Sequence, residues 1–285
     1  MRGATDLPVL LPYRAPEPPG PLLPRLFSPL SATLLALGLA AAVLLGEAQA
    51  QSGAERAGVW DTLWKWTPLM LLGPQGELGG FLLNIVVSFC AMAVGTALGF
   101  LLGMGQISLL KPVRIISMVV TQLFRNSPWL VLLFYVMLMF PFRVEIFGTS
   151  YLFPPWIKAM LALSLPIMAN VSEIVRGAIA SIPTGQWESA ESLAFSRWQT
   201  LTQIILPQCV KRMIPPWMNW YAILTMSTPL ISILGVSDGM RLTQDALAAE
   251  GRSEYLIPMY LWLMSWFFIY CYPIARATVA LERRW

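Results

Sequence analysis

"ESAESLAFSRWQTLTQIILPQCVKRMIPP", residues 188–216, is polar and charged, yet an apolar run of membrane-spanning length lies on each side of it. Those flanking runs decide the fold class. They are "PWIKAMLALSLPIMANVSEIVRGAIA" (155–180) and "WMNWYAILTMSTPLISILGV" (217–236), and an α-helix needs only about 20 apolar residues to cross a bilayer. Charged residues make up 12% of the 285-residue chain and hydrophobic ones 56%, whereas soluble domains carry about a quarter charged. The chain reads as an all-α integral membrane protein.

Further runs lie outward from these two. "FLLNIVVSFCAMAVGTALGFLLGMG" (81–105) spans, and its Gly95, Gly99 and Gly103 fall four apart, a face of small residues for close helix packing. Residues 113–142 are apolar but interrupted at Arg125-Asn126-Ser127-Pro128; proline lacks a backbone donor and biases its predecessor away from helix, so a break belongs there. A run from about 255 to 280 and "LFSPLSATLLALGLAAAVLLG" (26–46) bring the expected spans to six. Residues 1–25 are a proline-rich tail. Ala48-Gln49-Ala50 resembles a signal-peptidase site, but the long stretch before the apolar run favours a retained helix. In 47–78, Trp60 and Trp64 share one helical face, as in an interfacial helix. The expected organisation is therefore a cytoplasmic tail (1–25), an extra helix (26–46), a periplasmic or interfacial segment (47–78) and a helical core (79–285) with a polar cytoplasmic loop at 181–215.

Composition excludes several chemistries. The chain has no histidine, which removes Ser-His and Cys-His catalysis and the usual zinc ligands. Its sequence contains no phosphate-binding G-x-x-x-x-G-K-[ST]. Cys90, Cys209 and Cys271 are far apart without metal-ligand spacing and read as small buried hydrophobes. The net charge of +4 does not imply nucleic acid, because the basic residues sit at the ends of apolar runs. In the six-span reading thirteen of nineteen Lys and Arg fall on the side holding both termini and the 181–215 loop, which makes that side cytoplasmic.

From Glu188 to Thr202 the stretch is amphipathic at helical spacing, with Ala190, Leu193, Ala194, Trp198 and Leu201 apolar, before Pro207 ends or bends the element. Such a helix either lies in the lipid interface or presents a face to a soluble partner.

Particular residues narrow this. Glu188-Ser189-Ala190, three residues, Ala194, nine residues and Ile204-x-Leu206-Pro207 resemble the EAA loop, E-A-A-x3-G-x9-I-x-L-P, of permease subunits of bacterial ABC importers. Phe124-Arg125-Asn126-Ser127-Pro128 resembles the F-R-G/N-T-P segment of the polar amino acid permeases, and Ser172-Glu173-Ile174-Val175-Arg176-Gly177 their A-E-I-F-R-G. Residues 181–188 match S-I-P-x-G-Q-W-E, 196–200 match S-R-W-Q-T, and Leu281-Glu282-Arg283-Arg284 resembles the closing L-E-R-R. The resemblance runs over about 80–285.

The resemblance implies a five-helix importer core that moves polar amino acids or derivatives such as opines by alternating access, with no catalytic or metal site. It implies no cofactor in this chain, ATP and magnesium belonging to a partner ATPase. Implied partners are a cytoplasmic ATP-binding subunit dimer, a second permease subunit (a heterodimer favoured), a periplasmic substrate-binding protein and membrane lipid, in a bacterial inner membrane; a non-transporting scaffold with the same fold is the alternative. ATPase coupling would fall to Glu188, Ser189, Ala190, Leu193, Ala194, Arg197, Trp198, Leu206 and Pro207, with Ala190, Leu193 and Trp198 supplying apolar burial. Arg125, Pro128, Glu173 and Arg176 would serve as gate or scaffold. Asn84, Ser88, Asn170, Asn219, Ser227 and Thr228 are candidates for the substrate path.

The chain departs from the family in places. Ser189 replaces a small alanine. Ala194 replaces a glycine that lets two short helices turn, so alanine there must avoid a positive φ or accept strain. Pro166-Ile167-Met168-Ala169-Asn170 stands where many members read N-S-G-x-Y, and Met226-Ser227-Thr228-Pro229-Leu230 where many read K-D-T-S-L. The less charged path fits either a substrate handled mainly by the paired subunit or an unusual amino acid derivative.

Overall fold

A computed structural model of the chain describes residues 58–146 and 149–284, all within one compact unit, Val43–Trp285. The expected tail, first helix and start of the 47–78 segment lie outside the described residues. The helices are α1 (Val59–Leu72), α2 (Gly80–Gln106), α3 (Lys111–Arg125), α4 (Trp129–Met139), α5 (Pro155–Ala180), α6 (Thr184–Ser192), α7 (Arg197–Gln199), α8 (Leu206–Ser227), α9 (Gly239–Glu250) and α10 (Leu256–Arg284). Among the described residues, three stretches are long and apolar enough to cross a membrane unaided, Gly80–Gln106, Pro155–Ala180 and Ser253–Arg283.

At the centre α2 packs along α5, and the glycine ladder explains how closely. A Cβ on Gly95 would lie 2.6 Å from Ile167 Cγ2, one on Gly99 2.6 Å from the Met168 carbonyl, and one on Gly103 2.7 Å from Val175 Cβ. Real side chains do not approach that near, so only glycine lets the helices meet here.

The helix α3 is inside out by the standards of a soluble protein. Ser117 and Thr121 are its buried residues, whereas Ile115, Ile116, Val119 and Leu123 are 58–63% exposed. The Thr121 hydroxyl is bonded: Gln106 Nε2 donates to Thr121 Oγ1 at 2.9 Å and to Ser172 Oγ of α5 at 3.1 Å, and the Thr121 and Ser172 hydroxyls lie 2.9 Å apart. Lipid favours this arrangement, since polar groups need protein partners and apolar side chains do not. The break after α3 falls where Pro128 required it, at the N-cap of α4.

Between the apolar runs 113–142 and 155–180 lies an antiparallel hairpin, Arg143–Ile146 with Thr149–Leu152, in the register Arg143↔Leu152. Beneath it Lys158 is fully buried; its Nζ donates to the Phe140 carbonyl at 3.0 Å and sits 3.9 Å from the Phe142 ring centre. The run expected to span 217–236 begins as helix eleven residues earlier, at Leu206, and ends in a 3-10 turn over Thr228–Leu234. Trp60 and Trp64 share a face, and both rings pack edge-on against Trp262 of α10, at 6.1 and 5.7 Å, while Trp64 stays 61% exposed.

Candidate functional site

The 181–215 stretch is not one amphipathic helix. It folds as α6, a tight turn, then α7, which runs through a π-helix (Thr200–Ile205) into α8. The turn is a Schellman closure: Phe195 N–H donates to the Ala190 carbonyl at 3.1 Å and Ala194 N–H to the Glu191 carbonyl at 2.9 Å. That geometry needs a left-handed residue, and Ala194 supplies it at φ 57°, the one non-glycine residue with positive φ among those described. Alanine has accepted the strain.

The S-R-W-Q-T run then has a local reason. Ser196 Oγ accepts from Gln199 N–H, and Gln199 Oε1 accepts from Ser196 N–H at 2.9 Å, a capping box that starts the second helix. Pro207 does not end the element; it occupies the first turn of α8. Having no N–H, it leaves the Gln203 carbonyl without its α-helical donor, and the widened π turn just before it accommodates that loss. Gln208 Nε2 covers the neighbouring Ile204 carbonyl at 2.8 Å.

These contacts sort the nine coupling candidates. Leu193 is 71% and Trp198 67% exposed, two large apolar side chains on an otherwise polar segment. Glu188, Ser189, Ala194, Arg197 and Pro207 are also exposed, and Leu206 is half-buried against the core. Ala190 differs from the expectation of a docking role, because it is 1% exposed and its place is inside the chain, under the turn. The Ala194 side chain is exposed, so the position selects for backbone conformation. Arg197 ties the segment to the membrane helices by donating to the Ile107 carbonyl at 3.2 Å.

The gate candidates come together at the end of α5. Arg176 donates to Glu173 Oε2 at 2.6 Å, and Arg125 stands 3.7 Å from the same oxygen; Pro128 is three residues further on. Arg125, Asn170 and Glu173 wall a cavity of about 420 Å3 with Arg212 and Trp220.

The path candidates separate. Asn170 lines that cavity and Asn219 is exposed on α8. Ser88 is fully buried and Ser227 half-buried, and each bonds a carbonyl of its own helix. Asn84 and Thr228 face no opening: both are fully buried, and Asn84 Nδ2 donates to Thr228 Oγ1 at 2.9 Å and to Asp238 Oδ2 at 3.0 Å. Asn84 Oδ1 in turn accepts from Gly239 N–H at 2.9 Å. Sequence reasoning missed Asp238, the buried N-cap of α9, whose carboxyl is pushed up to about 6 by burial against the lowering effect of these bonds. A capping Asp before a helical run was its only local signal.

With this geometry in view, comparison with known proteins is direct. The family described as binding-protein-dependent transport system inner membrane component matches residues 95–281. The chain belongs to that family. An inner membrane amino-acid ABC transporter permease of Escherichia coli K12 is 32% identical over 209 residues, covering 73% of this chain and 56% of that protein. A glutamate/glutamine/aspartate/asparagine permease of Rhodobacter capsulatus is 29% identical over 210 residues, 73% of this chain and 48% of that one. The chain thus spans about half the length of these two relatives. An L-cystine permease of Bacillus subtilis is 30% identical over 207 residues, covering 72% and 85%. Among solved structures, an amino acid ABC transporter crystallised with histidines aligns at a TM-score of 0.65 and 22% identity, over 81% of this chain and 100% of that one. An inward-facing methionine ABC transporter aligns at 0.53 and 16%, over 70% and 91%. The shared fold is that of an importer permease.

Proposed function

We propose that this chain is a permease subunit of an ATP-driven importer that takes up polar amino acids or their derivatives across a bacterial inner membrane, six spans placing both termini in the cytoplasm. The observation that carries the reading is the exposed pair Leu193 and Trp198, presented by a helix–turn–helix that is rigidly closed at Ala194 and continuous with α8. Exposed aromatic anchors on a built platform fit a docking groove; for the 181–215 loop that groove belongs to a cytoplasmic ATP-binding subunit. ATP and magnesium act on that subunit. A second permease subunit completes the path, and a periplasmic binding protein delivers the solute. ATP drives the cycle only by binding one state of the partner more tightly than the other, so α6 and α7 serve to pass that preference into α8. Arg125, Glu173 and Arg176 act as gate or scaffold at the end of α5.

The test is reconstitution of the full transporter in proteoliposomes, followed by ATP-driven uptake and ATPase co-purification for wild type, Trp198→Ala and Glu188→Lys. Loss of a central aromatic anchor costs roughly 2 kcal/mol, about thirtyfold in affinity, so Trp198→Ala should shed the ATPase and lose uptake while inserting normally. Wild-type association and uptake in both variants would sink the coupling assignment. Association without uptake in the wild type would mark the chain as a scaffold.

A further inference from the structure

The cavity of about 420 Å3 beside the end of α5 has an unbalanced wall. Glu173 is the one carboxylate in its wall among the described residues, and Arg176 already holds that group at 2.6 Å. Arg125 stands 3.7 Å from it, beyond hydrogen-bonding reach, with its side chain 47% exposed. No hydrogen bond among the described residues satisfies its guanidinium. Arg212 lines the same cavity and is oriented rather than loose, because one of its nitrogens donates to both the Ser181 carbonyl and Ser181 Oγ at 2.6 Å. Among the described residues, two planar cationic forks border a space whose one carboxylate Arg176 holds closely and Arg125 shares only loosely, so positive charge is in excess there.

The remaining wall is specific in another way. Asn170 donates one of its two amide N–H groups to the Pro166 carbonyl at 2.8 Å, and no hydrogen bond among the described residues uses its Oδ1 acceptor. Trp220 adds an aromatic side. The volume lies within the range of small-molecule sites. Arg212 and Pro216 also border a second cavity of about 800 Å3, which Lys211 and Glu282 line, so the basic lining continues past the first.

We propose that this cavity is a seat for the carboxylate of the transported solute, with Arg125 and Arg212 as its cationic partners, Asn170 Oδ1 accepting from the solute's ammonium, and Trp220 against its side chain. The proposal rests on the import reading. A guanidinium presents parallel donors that match a carboxylate's two oxygens, which an isosteric amide does not. The seat thus distinguishes an amino acid from its α-carboxamide.

Saturation-transfer NMR on the detergent-solubilised complete transporter, without binding protein, tests this with L-glutamine and L-glutaminamide as probes. The acid should bind about tenfold tighter than the amide, the value of one charge-assisted pairing. Arg125→Gln and Arg212→Gln should each remove most of that preference, and Arg125→Lys should keep part of it. Equal binding of the two probes to wild type, no signal from either, or full preference in both neutral variants would overturn the seat. The wild-type comparison needs no variant to fold. ATP-driven uptake that persists with no acid-over-amide preference would leave the import reading standing and remove this one; absence of ATP-driven uptake would remove the import reading itself.

Discussion

At the scale of the residue, Ala194 carries strain that its neighbours enforce. Two backbone hydrogen bonds from the Schellman closure hold it at φ 57°, where an L-residue's Cβ crowds its own backbone by about 1–2 kcal/mol. Ala194→Gly relieves that crowding but gains freedom in the unfolded chain, so the net stabilisation should be about 1 kcal/mol or slightly less. The measurement is local: amide hydrogen exchange at Ala190–Ser196 should slow several-fold in the glycine variant. Unchanged or faster exchange would show that the turn is not strained. A β-branched residue would act oppositely, so Ala194→Val should accelerate exchange and weaken ATPase docking.

At the scale of the element, the contact of α2 with α5 depends on missing side chains. At Gly99 an added methyl would meet the backbone carbonyl of Met168 at 2.6 Å, which no rotamer change relieves. Gly99→Ala should cost about 1–3 kcal/mol as overpacking, read as a lower melting temperature in detergent; Gly177→Ala, where nothing lies within 4 Å, is the control and should be close to neutral. Much of this element was legible beforehand, because four-residue spacing and a proline are local signals: the glycine face, the limits of α5 at 155 and 180 and the break before Trp129 all follow from adjacent residues. What depends on distant partners was not legible. Asn84 looked like a path residue until its partner Asp238, 154 positions away, closed the network. Ala190 looked like a docking residue because periodicity reveals that a side is apolar but not what covers it. The start of α8 was misplaced because Lys211 and Arg212 lower the hydropathy of a helix whose first half lies beyond the apolar run.

At the scale of the whole molecule, the Asn84–Thr228–Asp238 network joins the start of α2, the 3-10 turn and α9. Asp238 lies beyond the 217–236 run, and burial raises its carboxyl from 3.8 to about 6. The folded protein therefore holds this proton more tightly than the unfolded chain does. Stability from this group is complete below about pH 4 and is lost as pH rises through about 6, a difference of roughly 3 kcal/mol. Glu250 works in the opposite direction: Lys65 and Trp66 hold it below the usual carboxylate range, so its contribution is present above that range and fades as pH falls. Melting temperature should thus decline between pH 4.5 and 7 in wild type relative to Asp238→Asn, which keeps an acceptor at the N-cap. Parallel pH profiles for the two proteins would refute the assignment.

The π turn between Thr200 and Ile205 bears on how such a gene tolerates change. In a regular α-helix the loss of one codon swings everything downstream through about 100°, which would turn Trp198 away from its present heading relative to α8. A π turn already stores one surplus residue. Deleting a single codon there would return the segment to ordinary α pitch and leave Trp198 facing much the same way, with the proline clash at Pro207 as the main cost. Across α6, α7 and α8, this is where a one-residue deletion least disturbs the heading of the exposed face.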